Sequence, residues 1–350
     1  MKGKQGLVCM GLLLVLSSCH TGKQITASGL QRKDFQTEVN GQHTDLFTLS
    51  NKQGMEVCIT NYGARVVSIL VPDRNGKRED VVCGFSTITE YMEQRQNFGS
   101  TVGRYIGRIL NARFTLDGVE YKLVPNNGKS GHISHGGNPG FADRIWKVEQ
   151  ADTHRVRLSY LSPDGENGFP GNLKVTLVYS LGEDDNALDL TYEATTDAPT
   201  VLNLSHHSFF NISGNFTKSV EDQQLWVDAD RFTPYDDKKC VTGEYLPVAG
   251  TPLDFRMPHT IGECIDADHP QLKVVNGYDH TWELNTKGDD TRPAAWVYDP
   301  ASGRKMEIFT TEPGMQIYTG NGLKGKMTGK GGIAYPFRSA VCFETMHFQD

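Results

Sequence analysis

From residue 55 onward, short apolar runs alternate with clusters of Gly, Asn, Asp and Pro. Met55 to Thr60, Ala64 to Val71, Val156 to Tyr160, Leu173 to Leu181 and Ala187 to Ala194 are rich in Val, Leu, Thr and Tyr. Runs of this kind, bounded by turn residues, predict β-strands. Phe114 to Tyr121 predicts a hairpin, because Asp117-Gly118 suits the positive φ angles of a type I′ turn. Pro163 to Gly168 reads as a longer loop, and one short helix is expected around Thr89 to Gln96. No internal repeat and no composition break divides the chain. Many strands without alternating helices imply an all-β fold, one large antiparallel β-sandwich.

The first residues follow a different pattern. Lys2 and Lys4 precede an apolar run from Leu7 to Leu16, followed by Ser17-Ser18-Cys19. A charged start, a short apolar stretch and small residues form a secretory signal. The run is too short to span a bilayer as a stable anchor. Leu16-Ser17-Ser18-Cys19 resembles a bacterial lipobox, in which Cys19 becomes the lipidated first residue; the alternative is an ordinary signal peptide cut elsewhere. The expected organisation is a lipoprotein signal peptide over 1–18, a polar tether over 19–35, and a sandwich domain over 36–350. The protein is then exported and held by lipid to a bacterial cell envelope, on a membrane face the sequence leaves open.

Composition changes this picture little. Charged residues make up 22% of the 350 and hydrophobic residues 37%, an ordinary globular balance. The formal net charge is -7. Loss of residues 1–18 would remove two lysines and no acids, leaving 33 basic against 42 acidic residues, or -9. No basic footprint points to nucleic acid. Beyond Cys19, the cysteines are Cys58, Cys83, Cys240, Cys264 and Cys342, and their spacing fits neither a zinc site nor a disulfide framework. Export would permit a disulfide, and Cys240–Cys264 is the pair to inspect. Two motifs are set aside. Gly320 to Gly325 matches G-x-G-x-x-G, but no amphipathic helix follows it to cradle a phosphate. His132 and His135 have H-x-x-H spacing, but the surrounding Gly and Asn deny them the helix that would aim both at one metal.

The stretch from Thr200 to Ile212 reads as the end of a strand. Alternation puts Asn203, Ser205 and His207 on one side, and Leu202, Leu204 and His206 on the other. A polar strand face carrying a His suits either a wet cleft or a half-solvated surface strand. His207-Ser208-Phe209-Phe210-Asn211-Ile212 resembles the His-Ser-Tyr-Phe-Asn-Leu signature of the aldose 1-epimerases, the galactose mutarotases. Four further stretches resemble that family, in family order. They are Gly103 to Ile109, Ser134 to Gly137, Gly277 to His280, and the C-terminal pair of Gln316 to Asn321 with Phe343 to Thr345. The resemblance implies a galactose mutarotase-like β-sandwich and interconversion of the α and β anomers of free aldohexoses such as galactose and glucose.

The residue types suit that chemistry. Mutarotation needs a base for the C1 hydroxyl proton and an acid for the ring oxygen, each with a pKa near the working pH. It needs no nucleophile, hydride or metal. Glu344 is the expected base; it shares a strand face with Ala340 and Cys342, and burial would raise its pKa. His207 is the expected acid, and His135 would help polarise the ring oxygen. The resemblance implies Asp279, Arg108 and Gln316 as binders of sugar hydroxyls, with Phe209 and Trp282 as candidate aromatic platforms. No cofactor is required. A structural Ca²⁺ stays open, although no acidic cluster calls for one.

Three departures from the family pattern stand out. Gly107 replaces the usual Asn, Phe209 replaces the usual Tyr, and the chain stops at Asp350 where relatives typically run on, as a truncated sequence would, exposing a strand edge near Glu344. Three rival readings are a sugar-phosphate epimerase, which should bring several Lys or Arg to the cleft, a non-catalytic carbohydrate-binding sandwich, and a glycoside hydrolase pairing Glu344 with Asp279.

Overall fold

The computed structural model describes residues 24–349. The expected signal peptide, Cys19 and residues 20–23 of the expected tether lie outside the described residues. Among the described residues, every ladder between strands is antiparallel, as the all-β sandwich reading requires. One sheet of four strands runs Leu46–Ser50, Glu56–Thr60, Arg65–Pro72 and Arg78–Asp80. A second comprises Lys147–Ala151, Arg155–Ser162, Leu173–Leu181 and Leu188–Thr196. Between them lies a core that includes Val57, Ile59, Val66, Trp146, Leu158, Val175 and Leu177. The strand from Leu173 to Leu181 has the bounds its sequence predicts, because a nine-residue apolar-alternating run needs no help from its neighbours to be recognised.

The Asp-Gly hairpin also forms as expected. Leu116 pairs with Val119 across Asp117 at φ +52° and Gly118 at φ +78°. The expected helix spans Ile88–Gln94. It starts where Thr87 accepts from the Glu90 N–H while Glu90 reaches back to the Thr87 N–H, a capping box. A second short helix, Pro270–Val275, was not anticipated; Pro270 sits at its first turn, where a missing N–H costs nothing.

Residues 24–35 depart from the tether expectation. Ile25 bridges Gln31, and Arg32–Phe35 forms a 3₁₀ turn. Leu30 and Phe35 are buried in one cluster with Tyr62, Val67 and Tyr91. Arg32 Nε donates to Asp45 at 2.8 Å, and the Ala27 N–H donates to Glu56 at 2.7 Å. Two apolar side chains within a polar stretch are enough to fix it to the domain, at roughly 1.5–3 kcal/mol for each fully buried side chain.

The largest sheet has six strands. In spatial order they are Phe209–Phe210, Val341–Met346, Gly314–Tyr318, Asp279–Leu284, Ala229–Thr233 and Leu246–Pro247. The strand carrying Glu344 therefore lies inside the sheet, with neighbours on both sides. One face of this sheet packs on a further four-stranded sheet through Trp282, Met315, Ile317, Val341 and Phe343, against Leu225, Val227 and Val297. Side chains alternate along strands. The opposite face therefore carries Asp279, Thr281, Gln316, Tyr318, Cys342 and Glu344.

Candidate active site

Register brings these residues into rows. Thr281 pairs with Gln316, and Gln316 pairs with Glu344. One step along, Asp279 pairs with Tyr318, and Tyr318 with Cys342. A one-residue slip would send this set into the apolar core, so the burial of Met315 and Ile317 fixes the polar face as firmly as the apolar one.

Two other segments close over this face. Ser205–His207 pairs with Ser100–Val102, placing His207 opposite Ser100. Ser208 then interrupts the strand, and Phe209–Phe210 joins the six-stranded sheet beside Val341–Cys342. The short ribbon of Arg108–Ile109 with Ile133–Ser134 pairs Arg108 with Ser134, and His135 follows directly. All six expected residues, Arg108, His135, His207, Asp279, Gln316 and Glu344, line one cavity of about 240 Å³. That is below the roughly 300–1,000 Å³ of pockets for drug-sized ligands, and the lining is mostly polar. It suits one small polyhydroxy molecule.

Glu344 and His207 meet at the buried floor. His207 Nε2 lies 3.4 Å from Glu344 Oε1, with 8% and 2% of the two side chains exposed. Burial raises the Glu344 carboxyl well above the ordinary glutamate value, and Asp279 adds to the shift while Arg108 opposes it. Burial also pushes the His207 imidazole well below its ordinary value, with further depression from His135 and His206. Both shifts favour the uncharged forms, a protonated carboxyl facing a neutral imidazole, and passage of that proton across the contact gives a carboxylate facing an imidazolium.

Phe209 is not a sugar platform. It is 6% exposed and stacks on the His207 ring at 4.9 Å between centroids and 10° between planes. It locks the imidazole plane, a contact worth roughly 0.5–1.5 kcal/mol beyond area burial. Trp282 is fully buried on the far face of the sheet. The aromatic residue at the cavity is Tyr318, whose oxygen accepts from the Gly322 N–H at 2.6 Å.

His135 sits at φ +52° with its ring 5.6 Å from that of His207. Its Nδ1 accepts from the Gly107 N–H at 3.4 Å, so the neutral ring carries its proton on Nε2. Burial, aided by Arg108, lowers its pKa to about 4. His135 is thus a neutral hydrogen-bond donor near pH 7. Asp279 accepts from Gln316 Nε2 at 2.7 Å. Burial raises the Asp279 pKa, with Arg108 and Gln316 pulling the other way. Arg108 Nη1 donates to Lys239 O at 3.1 Å.

Ser134, Tyr318 and Gln349 also line the cavity and were not among the expected site residues. Arg104, the second basic residue in the Arg108 segment, is elsewhere. It is 1% exposed and spends its guanidinium on Pro170 O, Gly171 O and Ser162. His132 and His135 serve separate backbone partners, since His132 Nδ1 accepts from the Asn111 N–H at 2.9 Å. His207, Cys342 and Glu344 each offer one donor atom within 4.8 Å of the others. Burial holds the Cys342 thiol strongly protonated, which opposes its use as a metal ligand. Cys240 and Cys264 are not joined by a disulfide.

Comparison with known proteins finds relatives over most of the chain. Residues 45–350 match the aldose 1-epimerase family. The galactose mutarotase of Sus scrofa is 39% identical over 302 residues, covering 86% of this chain and 85% of that protein. The aldose 1-epimerase of Escherichia coli is 36% identical over 286 residues, covering 82% and 81%. The crystal structure of an aldose epimerase homologue from C. elegans superposes with a TM-score of 0.79 at 30% identity, covering 87% of this chain and 89% of that one. With a polar cavity at the centre of a mutarotase-like β-sandwich and relatives of this identity over most of its length, the chain belongs to the aldose 1-epimerase family.

Proposed function

We propose that this enzyme, which interconverts the α and β anomers of aldoses, does so with Glu344 and His207 as its proton-transfer pair. The observation that carries the proposal is their 3.4 Å contact at the buried floor of the cavity. Glu344 takes the proton of the C1 hydroxyl while His207 gives one to the ring oxygen. The C1–O5 bond breaks, C1 becomes a carbonyl, and the aldehyde turns about C1–C2. Ring closure reverses both transfers on the other face of C1. Charge is conserved at each stage, because a carboxylate and an imidazolium become a carboxyl and a neutral imidazole while the sugar stays neutral. His135, neutral and with its Nε2 proton to donate, supports the ring oxygen or its neighbour. Arg108, Asp279 and Gln316 bind the remaining hydroxyls, and charged partners strengthen those bonds. Galactose and glucose are the proposed substrates.

The choice of a free sugar over a sugar phosphate rests on the cavity itself. Arg108 is the one Lys or Arg in its lining among the described residues. A sugar phosphate would call for several.

No metal or cofactor takes part in this scheme. Turnover should be unchanged by a chelator at moderate temperature, measured by polarimetry. A loss restored by Ca²⁺, with circular dichroism unaltered, would contradict the metal-free scheme.

We also propose that the protein is exported and lipid-anchored through Cys19. Lys2, Lys4, the apolar run to Leu16 and the lipobox-like Leu16-Ser17-Ser18-Cys19 support this. Mass spectrometry of the mature N-terminus should find lipid on Cys19. An unlipidated terminus starting elsewhere, or a retained Met1, would refute the anchor.

The acid–base assignment is tested by conservative substitution. Glu344→Gln keeps shape but cannot take the proton, and His207→Asn cannot deliver one. Each should lower the catalysed rate by roughly 10²–10⁴-fold, the usual worth of one positioned acid or base. The double variant should fall far short of the product, because the two serve one transfer. The uncatalysed rate is subtracted in every case. A Glu344→Gln enzyme with near-normal turnover would move the role of base to Asp279.

A further inference from the structure

Gln349 lines the cavity yet belongs to none of the motif segments. Its side chain is 5% exposed. Its Oε1 accepts from the Arg108 N–H at 3.1 Å, and its Nε2 donates to Gln316 Oε1. It therefore ties together the backbone of one sugar-facing residue and the side chain of another.

The link runs on to Asp279. Gln316 has one amide oxygen and one amide nitrogen. Its oxygen accepts from Thr281 Oγ1 at 3.0 Å, from the Tyr235 hydroxyl at 3.5 Å and from Gln349 Nε2. That leaves the nitrogen to face Asp279 Oδ1, at 2.7 Å. Donors crowded on Oε1 set which way the Gln316 amide points, and so hold the Asp279 carboxylate in place.

Gly107 makes room for this arrangement. It sits at φ +77°, and a Cβ there would lie 2.5 Å from Gln349 Cγ and 2.6 Å from its Oε1. At those distances one of the two side chains must give way. Gln349 and a side chain at 107 thus compete for one volume beside Arg108.

We propose that Gln349 is a positioning residue for the sugar-binding wall, filling the space over Gly107 and orienting Gln316 and, through it, Asp279. The proposal rests on the reading of Asp279 and Gln316 as hydroxyl binders. Its effect falls on sugar affinity and leaves proton transfer at Glu344 and His207 alone.

Three substitutions, two of them also combined, test it. Gln349→Met keeps the volume and removes the hydrogen bonds; Gln349→Ala removes both. Each should raise KM for galactose roughly three- to tenfold, the worth of a buried neutral hydrogen bond, with kcat within about twofold. Gly107→Asn introduces an amide residue that tolerates positive φ. Combined with Gln349→Ala it should give a lower KM than either single variant, since the two side chains no longer collide. Calorimetric Kd for galactose, measured on the same proteins, should follow KM. An unchanged KM and Kd for Gln349→Met, a loss confined to kcat, or a double variant no better than the singles would each overturn the proposal. If wild-type protein bound galactose but did not interconvert its anomers, the catalytic reading would fail, and the Kd series would still decide the role of Gln349.

Discussion

The site depends on one constraint: a carboxyl group and an imidazole placed together where water is nearly excluded. Removing an ionised carboxylate from water costs several kcal/mol unless a partner compensates. Glu344 faces His207, 3.4 Å away, and burial disfavours the charged form of each. The same burial that makes the pair costly also raises the basicity of the carboxylate and the acidity of the imidazolium. Stability bears the consequence. A carboxyl whose pKa is raised on folding contributes less stability as pH climbs through the interval between its unfolded and folded values, because the unfolded chain gives up its proton first. The surrounding sheet must supply the difference, and it does so with an opposite face whose core is built on Trp282, Met315, Ile317 and Phe343.

Strand geometry explains why so few residues suffice. Asp279, Gln316 and Glu344 come from three neighbouring strands, and alternation alone turns all of them to one face. Asp279 and Glu344 therefore approach a ligand from the same sheet. The two carboxylates of a hydrolase must instead flank the scissile bond. Here the second proton-transfer group is His207, delivered by a different segment that pairs with Ser100–Val102. Phe209 fixes its ring plane from below, and His135 stands beside it as a neutral donor.

Much of this was legible in the sequence. The alternating run from Leu173 to Leu181 and the Asp117-Gly118 turn carry their own structure, because strand period and turn chemistry are local. His207, His135, Asp279, Arg108, Gln316 and Glu344 stood out through motif resemblance, and one cavity gathers them all. What the sequence hid depends on long-range packing. Phe209 and Trp282 carry aromatic rings suited to a sugar, but only the fold shows that one supports His207 and the other fills the core. Leu30 and Phe35 sit in a polar stretch that reads as a tether until their burial among Tyr62, Val67 and Tyr91 is seen. Gln349 is 241 positions from Arg108 in sequence, and no local pattern marks a lone Gln as part of a site.

The buried Glu344 carboxyl is the claim on which everything else turns, and its ionisation reports it directly. Protein labelled with ¹³C at glutamate carboxyl groups, compared with Glu344→Gln to assign the signal, can be titrated by NMR. The account predicts that Glu344 ionises well above 4.5, the ordinary glutamate value. Its signal should shift back toward that value when His207 is replaced by a residue that lets water into the floor of the cavity. A Glu344 carboxyl that ionises at or below 4.5 in the intact enzyme would contradict the account.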